Sequence, residues 1–318
     1  MLIQLQSEPT SPRRVVLFGA HGFLARHLQT GLRARRIESL AISSLDADLT
    51  ESSSVTRLQG LVREDDSVVM LSTLTPDKGR DHRTMMKNLG MAETVCRAFE
   101  DVRCAHFVYL SSDAVYDAHQ TPLDEDSSRE PVDLYALMHT AREMMIGSVL
   151  AKVGIPFCVL RPTNMYGFGD THNSYGPNRF VRSAVREGCI SLFGDGEECR
   201  SHVYVLDAVD VIVRVLEHRS TGTLNVAANE AVSFRHIADL IVGLCRDRVR
   251  IEHVPPADRA SRSVVHRPYT VSAIFKAFPD IRFTAMEEAL GYYIEAVRAA
   301  VAGDSGPAIE RAGGSVRR

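Results

Sequence analysis

"RVVLFGAHGFLA", Arg14 to Ala25, sets a short apolar run against a glycine-bearing turn, and an amphipathic stretch, "RHLQTGLRARR", follows it. Four β-favouring residues, a turn and a helix-period segment predict a strand, a tight loop and a helix in succession. Gly19, Gly22 and Ala25 fall as G-x-x-G-x-x-A. In such a unit the first glycine permits the turn, the second lets the backbone approach a pyrophosphate, and the small third residue packs helix on strand, while Phe23 and Leu24 open the helix whose amides face the anion. A glycine pattern alone also reads as a plain turn. Its place at the head of a repeated pattern favours dinucleotide binding.

Outward from this stretch, apolar runs recur as "SLAIS" (39–43), "SVVML" (67–71), "HFVYLSS" (106–112) and "PFCVLRP" (156–162), with helix-like segments between most of them. Short β-branched runs alternating with helices predict an α/β fold of the Rossmann type, a doubly wound parallel sheet covered on both faces. Ligands of such a sheet sit at the carboxyl ends of its strands. The second strand ends in "ISSLDADLT", where Ser43 and Ser44 replace the usual acidic partner of an adenosine ribose. With Arg33, Arg35 and Arg36 just upstream, the cofactor is NAD or NADP, with NADP mildly favoured. The same arginines also read as a solvated helix end.

The formal charge of -3, from 37 basic and 40 acidic residues, offers no basic field for nucleic acid. The six cysteines have no short-spaced pairs, so they are expected as reduced core thiols with no metal site. No apolar run reaches the length of a membrane span and no signal-peptide block opens the chain, which predicts a soluble, cytoplasmic protein without a membrane partner. Residues 1–13 and 303–318 read as disordered tails.

Four further stretches are more specific: "YLSSDAVYD" (109–117), "YALMH" (135–139), "LRPTNMYGFGD" (160–170) and "LFGDGEECRSHVYVLDAVDVI" (192–212). With these the chain, from about Arg14 to about Val297, resembles the extended short-chain dehydrogenase/reductase family, in the NAD-dependent epimerase/dehydratase branch that modifies nucleotide-activated sugars. The resemblance implies a Rossmann domain (14–165), a smaller discontinuous α/β substrate domain (166–302, with about 201–228 returning to the first), a nucleotide-sugar substrate between them and a homodimer. It assigns Tyr135 as acid/base, Ser112 and Asp113 beside the reacting oxygen, and Asp48 and Leu49 at the adenine. Pro162 and Asn164 fall near the nicotinamide and the sugar, and Arg200 and Arg267 toward the substrate; Asn178 and Arg179, in the dense polar and aromatic stretch between Gly169 and Gly188, suit substrate hydroxyls and phosphate, or else a solvated loop.

One position departs. Where the family carries a lysine four residues after the tyrosine, this chain has His139. A phenol with an ordinary pKa near 10 needs a neighbouring cation to work at neutral pH, and an imidazole near 6.5 is mostly uncharged there. Arg142, seven residues after Tyr135, lies on a similar helical face and supplies charge if it turns inward. Hydride transfer at a sugar carbon still requires a proton shuttle, which Ser112 and Tyr135 suit.

An epimerase-type cycle is therefore expected, with a 4-keto-sugar reductase as the alternative. Ala114, where related dehydratases carry a second acid, disfavours dehydration. A catalytically impaired dinucleotide sensor is the reading from another class.

Overall fold

The computed structural model describes residues 2–117, 120–228, 230–246, 248–255 and 266–303. Its first lobe runs β1 (Arg14–Phe18), α1 (Phe23–Ala34), β2 (Glu38–Ile42), α2 (Ser54–Leu61), β3 (Asp66–Met70), α3 (His82–Asp101), β4 (His106–Leu110), α4 (Leu134–Val153) and β5 (Phe157–Pro162). The chain continues through β6 (Asn164–Tyr166), α5 (Pro177–Glu187), β7 (Cys189–Phe193), β8 (Cys199–Tyr204), α6 (Val205–Glu217) and β9 (Gly222–Val226). It closes with β10 (Ala231–Ser233), α7 (Phe234–Leu244), β11 (Arg250–Val254), α8 (Ser272–Ala277) and α9 (Met286–Val301).

The main sheet has six strands in the order β2-β1-β3-β4-β5-β9, and every pairing in it is parallel. Val15 and Leu17 join one core cluster while Val16 and Phe18 join another, so alternate side chains of β1 serve the two faces. This explains why the run had no polar alternation: both faces are covered. The chain passes from β1 to β2 on one side and to β3 on the other, which puts the topological switch point at the end of β1. The second lobe contributes a three-stranded sheet, β10-β8-β6, and a two-stranded one, β11-β7. In the chain between β8 and β10, α6 packs on α1 and β9 joins the main sheet beside β5.

The start of the chain corrects an expectation. Residues 2–13 are not a loose tail: Ile3 exchanges backbone bonds with Thr221 at 2.8 and 2.7 Å, and the amides of Leu5 and Gln6 donate to the His218 carbonyl. Polar composition hid a segment whose backbone is satisfied by the end of α6. The expected C-terminal tail lies, beyond Gly303, outside the described residues. Among the described residues no helix is long and apolar enough to cross a membrane, and no group of three or more His, Cys, Asp or Glu is placed to hold a metal ion.

Candidate active site

The glycine turn lies at the switch point. Gly19 has φ +102°, and a Cβ there would stand 2.9 Å from the Ser72 amide nitrogen, so both conformation and space demand glycine. Gly22 is the N-cap of α1, which has no side-chain cap and no acidic residue in its first turn. The amides that open α1 at Phe23 and Leu24 are therefore a ready anion site, and Ala25 beneath them is buried. This cradle fits a dinucleotide pyrophosphate.

At the tip of β2 the structure corrects the expected lack of an acid. Asp46 folds back so that its carboxylate accepts from the Ser43 amide at 2.8 Å and from the Ser43 hydroxyl at 2.7 Å. Those two bonds hold the Asp46 pKa below its usual value. Arg35, one of the arginines read as a phosphate contact, is instead ion-paired with Asp210 at 2.6 Å. Asp48 turns its carboxylate to Thr50, and Leu49 is buried beside the same tip.

Ser112 follows β4, where its hydroxyl accepts from the Ala114 amide at 3.2 Å and starts a short 3-10 turn, Asp113–Val115. Tyr135 stands in the first turn of α4, a helix capped by the Asp133 carboxylate on the Ala136 amide at 2.8 Å. The two meet. Burial pushes the Tyr135 phenol up to about 12, while the Ser112 hydrogen bond and the charge of Arg142 pull the other way and Asp113 and Asp133 add to the rise.

His139, one turn along, sets its ring edge-on to Tyr135 with centroids 4.7 Å apart. Its Nδ1 lies 2.7 Å from the Tyr109 hydroxyl, and its Nε2 is buried without a partner. Burial, then the neighbouring Arg142, push the imidazole well below 6.5, so it is neutral. Arg142 does turn inward and is fully buried.

Beneath Ser112 lies a network of which the sequence reading saw nothing. The Glu143 carboxylate accepts from the Ser111 hydroxyl at 2.6 Å, from Arg161 Nε at 2.9 Å and Nη2 at 2.6 Å, and from Arg129 at 3.3 Å. Arg161 also donates to the Tyr116 hydroxyl at 2.9 Å, which donates to Asn225 at 2.7 Å. One signal was available: Glu143 and Arg142 both fall on the inward side of a helix otherwise read by its apolar residues.

Arg200 of β8 and Arg267 are joined by an isolated backbone bridge, bringing together residues 67 positions apart. Arg200 is ion-paired with Glu198, and each arginine keeps one buried guanidinium nitrogen without a partner. Arg267 reaches the carbonyls of Asp113 and Tyr116 at 3.4 and 3.5 Å, which places it at the Ser112 corner. Asp113 accepts from the Tyr269 hydroxyl at 2.8 Å. Pro162 is the last residue of β5, and Asn164 just beyond it is exposed.

Two residues read as substrate contacts are used differently. Asn178 spends its carboxamide on the Gly167 amide at 3.2 Å and the Met165 carbonyl at 3.1 Å, so it staples the backbone. Arg179 lines a separate cavity of about 760 Å³ with Arg182, Arg186 and Tyr293, and none of Ser112, Tyr135, Arg200 or Arg267 borders it. The loop between them reaches toward the glycine turn. Phe168 and Gly169 offer their carbonyls to His27 and Arg26 of α1 at 2.8 and 2.7 Å, and His172 pairs with Asp77 after β3 at 2.7 Å.

Comparison with known proteins bears on the family and the fold. Residues 15–227 match the NAD dependent epimerase/dehydratase family. A dTDP-4-dehydro-6-deoxy-D-allose reductase from Streptomyces is 26% identical over 285 residues, covering 79% of this chain and 87% of the relative. A UDP-N-acetyl-alpha-D-glucosaminuronate decarboxylase from Bacillus cytotoxicus is 24% identical, covering 76% and 84%. Among solved structures, a GDP-L-fucose synthetase from Naegleria fowleri bound to NADP superposes with a TM-score of 0.81 at 14% identity, covering 96% of this chain and 98% of that one. A UDP-glucose 4-epimerase from Thermotoga maritima, solved with UDP-glucose, gives 0.79 at 17% identity, covering 91% and 99%.

Proposed function

The chain belongs to the NAD dependent epimerase/dehydratase family, and from that membership we propose that it moves a hydride at a carbon of a nucleotide-activated sugar in an epimerase-type cycle. The observation that carries the reading is the meeting of the Ser112 hydroxyl with the Tyr135 phenol beyond the carboxyl end of β4, in the parallel sheet whose β1 ends in the Gly19–Gly22 turn.

A bound nicotinamide ring supplies the hydride acceptor and donor. Tyr135 takes and returns the proton of the reacting hydroxyl, and Ser112 holds that oxygen. Arg200 and Arg267, with unspent guanidinium nitrogens, suit the diphosphate of the substrate. Asp113 accepts from Tyr269, and Ala114 follows it where related dehydratases carry a second acid, which weighs against dehydration.

Two features bear on the cofactor. Asp46 at the tip of β2 suits a ribose diol and repels a 2'-phosphate, which weighs for NAD. The Phe168–His172 segment bonds to α1 on one side and to Asp77 on the other, a strap across the switch point that supports a retained cofactor, as an epimerase cycle needs. The likeness to the Streptomyces reductase favours keto-sugar reduction as the second reading. Exposed Met86 on α3 with Leu137 and Met144 on α4 supports a homodimer through those helices.

Mass spectrometry of small molecules released by heat from the purified protein tests this. Stoichiometric NAD is expected; an empty protein would favour the reductase. Tyr135→Phe should cut turnover on the released sugar's parent by roughly 10²- to 10⁴-fold. Unchanged turnover would remove Tyr135 from the mechanism.

A further inference from the structure

Helix α5 carries Arg179, Arg182 and Arg186, spaced so that the three side chains share one helical face. That face borders the cavity of about 760 Å³, with Tyr293, Val297 and Ala300 of the packed helix α9 opposite and the loop from Phe168 to Thr171, with Asn173, as a further wall. The hollow lies apart from the residues assigned to the reaction, because none of Ser112, Tyr135, Arg200 or Arg267 borders it. Its size is that of a site for a small organic ligand.

The three arginines are used differently. Arg182 braces the wall: it donates to the Asp170 carbonyl and, at 2.9 Å, to the Asn173 carboxamide oxygen, and it lies 3.3 Å from the Asp170 carboxylate. That carboxylate also accepts from the His172 and Asn173 amides, so it is already engaged. Arg179 and Arg186 are exposed, and among the described residues no carboxylate pairs with either. The other acid of the lining, Glu187, is exposed as well, which leaves the cavity with more positive than negative groups.

An exposed row of arginines is by itself only a solvated face. What sets this one apart is Tyr293, which lines the same cavity, is 1% exposed, and has a hydroxyl without a hydrogen-bond partner. A buried hydroxyl left unpaired is costly. Its neighbours across the cavity are Arg182 and Arg186, and guanidinium groups only donate, so the hydroxyl proton has no acceptor. The group that would complete the site is therefore an acceptor, and the arginines favour one that is negatively charged. A phosphate offers several acceptor oxygens, enough for two guanidinium groups and the hydroxyl together. We propose that this cavity is a second binding site, for a small phosphorylated molecule whose phosphate takes Arg179, Arg186 and the Tyr293 hydroxyl and whose less polar body lies against Phe168, Val297 and Ala300.

The test is calorimetric titration of the full-length protein, saturated with NAD+ near neutral pH and at about 0.15 M salt, with phenyl phosphate, inorganic phosphate and phenol as probes. Phenyl phosphate is expected to bind with a Kd below about 1 mM, more tightly than inorganic phosphate, and phenol not measurably. Replacing both exposed arginines, Arg179→Gln with Arg186→Gln, should weaken phenyl phosphate by about tenfold or more, since each is a hydrogen bond to a charged group. Tyr293→Phe should weaken it about fivefold, and because the hydroxyl has no partner in the free protein, the urea midpoint without ligand should stay where it is or rise. Arg200→Gln, outside the cavity, should leave this binding in place.

No heat from the natural protein with phenyl phosphate up to about 10 mM would overturn the site. So would equal affinity in the double arginine variant, or binding that disappears in Arg200→Gln, which would put the phosphate in the cleft of Ser112 and Tyr135. Phenyl phosphate no tighter than inorganic phosphate would overturn the assignment of a phosphate ester. Should Tyr293→Phe not fold, the double arginine variant decides, because both its positions are exposed. None of these readouts uses turnover, so the site stands or falls separately from the proposed reaction.

Discussion

Glu143 and Arg142 are neighbours in the chain, both are buried and charged, and the structure treats them in opposite ways. Glu143 is met by two nitrogens of Arg161, by Arg129 and by the Ser111 hydroxyl, and through Arg161 and Tyr116 the network reaches Asn225 on β9. It ties α4 to β4, β5 and β9, and its buried ions answer one another. Arg142 has carbonyl, hydroxyl and ring contacts but no counter-charge, and beside it His139 keeps an unpartnered nitrogen. A closed network fixes a scaffold; an open one is incomplete until a ligand or a reaction supplies what it lacks. The difference separates a tether of the fold from a buried charge that the described residues leave unanswered.

The largest effect should come from opening the closed network. Glu143→Leu leaves Arg161 buried without its ion and is expected to cost roughly 3–5 kcal/mol in urea unfolding. A loss under about 1 kcal/mol would mean that the pair is not the tether the distances imply.

The next effect is acid sensitivity. Burial pushes His106 and His202 down to about 4 and holds His139 well below 6.5. Their folded pKa values are depressed, so the unfolded chain binds their protons first and stability falls as pH drops below 6.5. Asp207, raised by burial to about 6, has the opposite sign, because its folded form gains a proton as pH falls through 6. The net loss between about pH 6 and 4 should be roughly 2–3 kcal/mol per pH unit. His139→Gln should reduce the proton uptake on unfolding by about one, measured from the pH slope of the urea midpoint. An unchanged slope would place His139 outside the buried neutral set.

Smaller, and opposite in direction to Glu143→Leu, is Arg142→Met. Removing an unanswered charge for an apolar side chain of similar length should leave the free protein at least as stable, within about 1 kcal/mol of the natural chain or above it. A loss as large as that of Glu143→Leu would erase the contrast between the two networks. The smallest is Arg235→Ala on α7, whose exposed pair with Asp239 at 2.9 Å should be worth under about 0.5 kcal/mol.

Much of this was legible along the chain. The five strand runs from Val15 to Pro162 and the glycine turn follow from periodicity and short-range spacing, which the backbone obeys wherever it lies, while the pairing of Ser112 with Tyr135 was an expectation from the family resemblance. The helical offset of seven also allowed Arg142 to be suspected, and the structure buries it. Other readings missed where side chains turn. Asp46, three residues past Ser43, folds back on it through a local turn, so the acid sits at the strand tip although it does not follow the strand directly. Asn178 turned inward to the backbone, and Arg179 outward to another cavity, although they are adjacent.

The sequence by itself determined the doubly wound class and the glycine turn, because each is encoded within a helical turn or a strand's length. Only the tertiary structure decided which charges are answered: Glu143 meets Arg161 across 18 residues and Arg35 meets Asp210 across 175, whereas among the described residues no carboxylate meets Arg142. Charge pairing depends on which elements pack together, and packing is settled by the summed burial of the whole core, to which no single stretch of sequence is privy.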